Sequence, residues 1–251
     1  MFSLVELFNI CANGKDYTTV SPANKKYEVD YKFVEDEEEK TLYIFFEPSD
    51  GKTDWVVNFS YWRKPYKDME IGYRVHGGFL SSWKLIRDTV TARVIEKDAE
   101  GNFRWKRVVC VGYSHGGALA ALCHECVWFE RPDLRDSADA LQGYSFEGPR
   151  VYAGLWVNKD LQERWRNFTT FFNHNDIVPH LPPVLFFFRH VGKKTAKVLS
   201  EYYNNIDNID NIEKFKRGEL YDSYDFFKSN CEKLNFDGRF DEFEINISYK
   251  K

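Results

Sequence analysis

A chain of 251 residues with 43% hydrophobic and 18% aromatic content can bury one large core, and no Pro/Gly/Ser-rich stretch marks a long interdomain linker. With 35 basic against 39 acidic side chains the formal charge is −4, which gives no electrostatic reason to expect a nucleic-acid partner. No apolar run is long enough to cross a bilayer, so no transmembrane segment is expected.

The opening MFSLVELFNI carries Glu6 and lacks both a basic n-region and a small-residue cleavage site. It reads as a short amphipathic helix with Phe2, Val5, Leu7 and Phe8 toward the core. Five cysteines, an odd number in a chain without a recognisable secretion signal, imply reduced thiols and a cytoplasmic location. Residues 27–34 and 41–46 read as two strands of a hairpin at the N-terminal edge of a sheet, with the acidic VEDEEEK between them as a solvated turn. After FEPSDGKTDWVVNF, the segment VHGGFLSSWKLI opens a helix predicted to run to residue 92.

Residues 107–111 form a short, β-branched apolar run suited to a buried parallel strand, and ALAALCHECVWFE, at 118–130, is rich in helix formers. Further strands are predicted at 141–146 and 168–172, each preceded by a helix-length stretch. Alternating strands and helices imply an α/β fold with a mostly parallel central sheet and helices on both faces. NNIDNIDNIEK, from residue 204, is a brief low-complexity repeat. The chain is divided into one domain over residues 1–228 and a polar tail over 229–251, read as a peripheral helix or partly disordered.

Between strand and helix lies Gly112-Tyr113-Ser114-His115-Gly116. Glycines two before and two after a serine let the backbone turn sharply and hold the hydroxyl out, so Ser114 is the candidate nucleophile. A glycine-rich strand-to-helix loop without chemistry is the plain alternative. Cys123-His124-Glu125-Cys126 has the look of a metal fragment, but no second ligand pair lies at a suitable distance, and two cysteines three apart suit a buried helical face. Neither a metal nor an organic cofactor is expected. Asp176 follows a strand-like run, where its carboxylate would emerge at the carboxyl end of a strand; an Asx turn before Pro179 is the alternative.

Four segments in order carry a family resemblance over roughly residues 25–195: FEPSDGKTDW, VHGGFLSSW, VGYSHGGALA, and FEGPRVYAG followed by FFNHNDIVPHLPP. They resemble the oxyanion, H-x-GF, elbow and GSPRVG/N-x-D-I-V-P-x-LPP segments of the class 3 lipases, the fungal-lipase-type α/β-hydrolases. The resemblance implies a Ser-Asp-His triad in that chain order, with Ser114 and Asp176 in the first two places. Asp176 would hold the histidine in the right tautomer. It also implies an oxyanion hole made by the His115 amide and by Ser49, although Glu47-Pro48 replaces the family's Arg-Gly beside it. In related lipases the next stretch is a mobile lid, and residues 50–62 carry Trp55, Phe59, Tyr61 and Trp62 for such a lid or for a fixed aromatic core segment.

The family's catalytic histidine comes late, yet His190 is the last of the six here. Tyr221 or Asp222 falls where it would be expected. His190, His174 and His180 are the candidate substitutes, and lack of a conventional base is the third alternative. His76 matches a structural histidine of the family, and His124 lies in the elbow helix. Two readings follow. One is a hydrolase of acyl or lipid esters working through a Ser114 acyl-enzyme, with transient contact to a lipid surface. The other is a catalytically impaired lipase-fold binding or scaffold module.

Overall fold

A computed structural model describes residues 1–24, 28–47, 63–66, 73–154, 159–171 and 178–195. The boundary expected at residue 228 and the tail 229–251 lie outside the described residues.

The central sheet runs in the order β1-β2-β3-β6-β7-β9-β11, where β1 is Thr18–Val20, β2 Val29–Asp36, β3 Thr41–Phe46, β6 Arg107–Tyr113, β7 Leu141–Phe146, β9 Phe168–Phe171 and β11 Lys193–Thr195. The β1/β2 and β2/β3 pairs are antiparallel and every later pair is parallel, so the predicted edge hairpin and parallel core both hold. Strand β3 is buried at all six positions because a parallel sheet covered on both faces selects continuous apolar runs rather than alternation.

Helices cover both faces. On one side, Leu42, Ile44 and Phe46 of β3 and Val108 and Cys110 of β6 pack with α2 (Gly77–Val94) and α3 (His115–Glu130) around Trp83, Ile86, Val90, Leu119 and Leu122. On the other lies α1 (Leu4–Asn13), opened by a Ser3/Glu6 capping box. Phe2 packs its ring 4.8 Å from Tyr43, and Phe8 packs 5.7 Å from Tyr113 and 5.3 Å from Phe146. Leu7 is buried, while the Val5 side chain lies outside the described residues. Helix α3 is apolar around almost its whole circumference, as a helix wedged between sheet and neighbours must be.

A second, antiparallel sheet is ordered β10-β8-β5-β4, where β4 is Arg63–Pro65, β5 Arg74–His76, β8 Tyr152–Ala153 and β10 Phe188–Arg189. A short helix, α4 (Lys159–Arg164), precedes β9, and its Arg164 reaches the fully buried Glu125 of α3 at 2.9 Å. Burial pushes Glu125 up to about 7, against the pull of Tyr73 and Arg164. Cys123 and Cys126 are both buried on α3, and their thiols diverge, one toward Cys110 and the other toward Thr91.

Candidate active site

Strand β6 ends at Tyr113 and helix α3 begins at His115, which leaves one residue to make the turn. Ser114 makes it with φ 52° and ψ −120°, a conformation an L side chain rarely adopts. Two backbone hydrogen bonds hold it there. The Ser114 amide donates to Phe146 O at 2.8 Å, which ties the turn to the end of β7, and Ser114 O accepts from the Gly117 amide at 2.9 Å.

The glycines are needed for contact. A Cβ on Gly112 would stand 2.0 Å from Gly116 O, and one on Gly116 would stand 2.2 Å from Phe46 O, so helix, turn and strand β3 meet backbone to backbone. Close approach of this kind leaves the first turn of α3 facing the ends of β3 and β7. The leading amides of a helix have no intrahelical acceptor and sit at the positive end of its dipole. His115 contributes the first of them, directly beside Ser114.

The His115 imidazole points away from solvent. It is buried with its ring 5.5 Å from Phe79, and burial pushes its pKa down to about 4. His76 caps α2, its Nδ1 accepting from the Phe79 amide at 3.4 Å, with its ring 4.3 Å from Phe79. Burial first, and His115 second, hold His76 down to about 3. Both rings are neutral at pH 7, and His76 has the structural place the resemblance implied.

Of the candidate bases, His180 is buried in a short 3-10 turn and His190 follows β10. Nε2 of His190 lies 2.6 Å from Pro179 O, so a neutral ring donates there and keeps Nδ1 as its acceptor. Ser49, Asp176, His174, Tyr221, Asp222 and the segment 50–62 lie outside the described residues. His124 is buried in α3 as expected, against Phe168.

Arg150 lies within the FEGPRVYAG segment, where sequence reasoning gives it no role, yet it holds the loop that carries His180. It is buried; its Nη1 donates to Pro182 O at 3.0 Å and also to His180 O, while its amide donates to Leu181 O at 2.6 Å. It thus fastens three successive backbone carbonyls of the segment that follows Asp176. An arginine after a Gly-Pro announces a turn but names no acceptor, because backbone carbonyls leave no sequence signal.

Comparison with known proteins places this geometry. Residues 43–186, more than half of the chain, match the lipase (class 3) family model. A lipase of Rhizomucor miehei is 29% identical over 170 residues, covering 67% of this chain and 45% of that one. A secreted mono- and diacylglycerol lipase of Fusarium solani is 28% identical, covering 62% and 43%. The matched stretch therefore spans under half the length of these relatives. Among solved structures, the R. miehei triacylglyceride lipase aligns with a TM-score of 0.57 at 27% identity, covering 71% of this chain and 66% of that one. A triacylglycerol lipase whose catalytic centre is described as a serine protease triad aligns with a TM-score of 0.58 at 25% identity, covering 74% and 72%.

These matches correct the cytoplasmic location expected from the cysteines, since the Fusarium relative is a secreted protein. The inference failed physically because Cys11, Cys110, Cys123 and Cys126 are all free and buried, and a thiol shielded from solvent does not report the redox poise outside. The matches are to proteins named as lipases, which lends no support to the impaired-module reading. With its mostly parallel sheet, its helices on both faces and its serine on a one-residue turn, the chain is an α/β-hydrolase and belongs to the class 3 lipase family.

Proposed function

We propose that this protein hydrolyses carboxylic esters of acyl lipids through a covalent acyl-enzyme on Ser114. The observation that carries the reading is the strained backbone of Ser114, φ 52° and ψ −120°, locked between β6 and the N-terminus of α3. Such strain persists only when the surroundings impose it, and it aims a hydroxyl beside helix amides suited to negative charge.

In the proposed sequence the Ser114 hydroxyl attacks the ester carbonyl while its proton passes to a histidine oriented by Asp176. The tetrahedral oxyanion accepts hydrogen bonds from the His115 amide and from Ser49. The alcohol leaves with the proton, and water repeats the sequence to release the acid. The base is one of the two histidines that follow Asp176: His180, or His190, whose ring would then be held by Pro179 O in place of Asp176 and take the proton on Nδ1. Lipid esters are the favoured substrates because the matched relatives are named as lipases acting on acylglycerols.

The test is labelling with a fluorophosphonate and hydrolysis of p-nitrophenyl butyrate. Labelling should be lost in Ser114→Ala, and hydrolysis should fall by about four orders of magnitude or more. One of His180→Ala and His190→Ala should fall comparably while the other should not. Folded protein that neither labels nor hydrolyses would overturn the reading.

A further inference from the structure

Among the described residues six large apolar side chains are exposed, and four of them are consecutive: Val184 at 46%, Leu185 at 77%, Phe186 at 36% and Phe187 at 39%. This tip is built rigidly. The Phe186 and Phe187 amides close a 3-10 turn on Pro183 O and Val184 O, and Arg189 Nη1 donates to Val184 O at 3.0 Å and to Phe188 O at 2.9 Å. Phe187 O accepts from the Gly154 amide at 2.9 Å, and Arg150 fastens the preceding carbonyls. Phe187 itself is held at φ 66° without being glycine. A contiguous apolar tip that stays exposed while held in a fixed shape is suited to contact outside the chain.

The described part of its collar is cationic. The Arg63 guanidinium lies 5.5 Å from the Phe187 ring centroid, and exposed Lys64 and Arg74 lie on the same small sheet. The segments 63–66, 73–76 and 178–195 contain no Asp or Glu, and among the described residues Arg63, Lys64 and Arg74 make no ion pair. Apolar side chains rimmed by unpaired cations complement acyl chains beneath anionic headgroups.

We propose that residues 184–187 form an anchor that inserts into an anionic lipid surface, with Arg63, Lys64 and Arg74 contacting its headgroups. The anchor rests on the ester-hydrolase reading for its purpose, which is to hold the Ser114 site at the surface that supplies its substrate. Binding itself does not depend on catalysis, so the two readings fail separately.

The test is co-sedimentation of the full chain carrying Ser114→Ala with vesicles of phosphatidylcholine, alone or mixed with phosphatidylglycerol. Anionic vesicles should bind at least about tenfold more protein, and the excess should shrink in high salt. Adding Leu185→Ser and Phe186→Ser should weaken binding to both vesicles by about tenfold or more. Adding Arg63→Gln and Lys64→Gln instead should equalise the two. With Ser114 intact, the tip variant should still hydrolyse p-nitrophenyl butyrate, a soluble ester, at the parent rate. Unchanged vesicle binding by the tip variant overturns the anchor. So does self-association of the parent that the tip variant abolishes, in the absence of vesicle binding, because that would assign the patch to a second copy. Vesicle binding by a parent that hydrolyses no ester leaves the anchor standing and sinks the hydrolase reading.

Discussion

The α-carbon of Gly112 faces the carbonyl of Gly116 so closely that a methyl group placed on Gly112 would stand 2.0 Å from that oxygen. The obstacle is backbone and cannot swing aside. Gly112→Ala is expected to cost about 3 kcal/mol or more, since only movement of α3 away from β6 relieves the clash. At Gly101, by contrast, an added methyl would have nothing within 4 Å, but the residue sits at φ 85°, so Gly101→Ala should cost only the penalty of its backbone, about 1 kcal/mol. Denaturant midpoints of the two variants measure the difference, and near-equal values would show that the elbow is not tightly packed.

Strain at Ser114 leads to a trade between stability and activity. Its backbone lies in a region that glycine enters freely and serine does not. Ser114→Gly should therefore raise the thermal midpoint, with a gain of about 1 kcal/mol, while abolishing ester hydrolysis. Ser114→Ala should abolish hydrolysis without that gain, because alanine keeps the Cβ. Calorimetry of both variants decides the matter; equal midpoints would mean that the turn carries no strain.

Much of this site could be read from the chain because its physics is local. A one-residue turn between an apolar run and a helix needs glycines at fixed offsets, and Gly112 and Gly116 stand at those offsets. The strands at Thr41–Phe46 and Leu141–Phe146 were legible to the residue, since buried runs there end abruptly at turn chemistry. What could not be read was nonlocal. Nothing near Arg150 signals that it donates to carbonyls some 30 residues on, and nothing in VLFFFRH distinguishes an exposed apolar tip from another buried strand. Cysteine count misled on location for the same reason, because burial is decided by tertiary packing.

Four buried titratable groups set how stability depends on pH. His76, His115 and His124 bind their protons near 6.5 in an unfolded chain but only near 3 to 4 in the fold, because burial disfavours the imidazolium. Below about pH 6.5 the unfolded chain therefore holds more protons at these sites, and stability falls with pH. Glu125 acts oppositely: it protonates near 7 when folded and near 4.5 when unfolded, so its burial penalty is relieved as pH drops through 7. Three groups outweigh one, so stability should fall on acidification below about pH 7 by about 1.4 kcal/mol per pH unit for each net proton, and level off at about pH 7.5 to 8, where the opposing protons cancel. Urea titrations from pH 4 to 8 give the curve. His124, both of whose ring nitrogens are buried without a hydrogen-bond partner, supplies the control: His124→Leu should stabilise the protein and shift the acid limb to lower pH.

Arg150 should couple stability to catalysis. Its guanidinium donates to Pro182 O and His180 O from a buried position, so removing it leaves carbonyls desolvated without donors as well as a cavity. Arg150→Met, which keeps the bulk, is expected to cost about 2 to 4 kcal/mol. Arg150→Lys keeps a charged donor but is shorter and lacks the rigid guanidinium that aims Nη1 at both carbonyls, and it should recover only part of the loss. Because the fastened segment carries His180 and lies four residues beyond Asp176 in the chain, loosening it should lower kcat for p-nitrophenyl butyrate more than it raises KM. A purely structural arginine would reduce the amount of folded enzyme and leave kcat per active site, counted by fluorophosphonate titration, unchanged. A fall of about tenfold or more in that normalised kcat is the outcome that ties the clamp to the chemistry at Ser114.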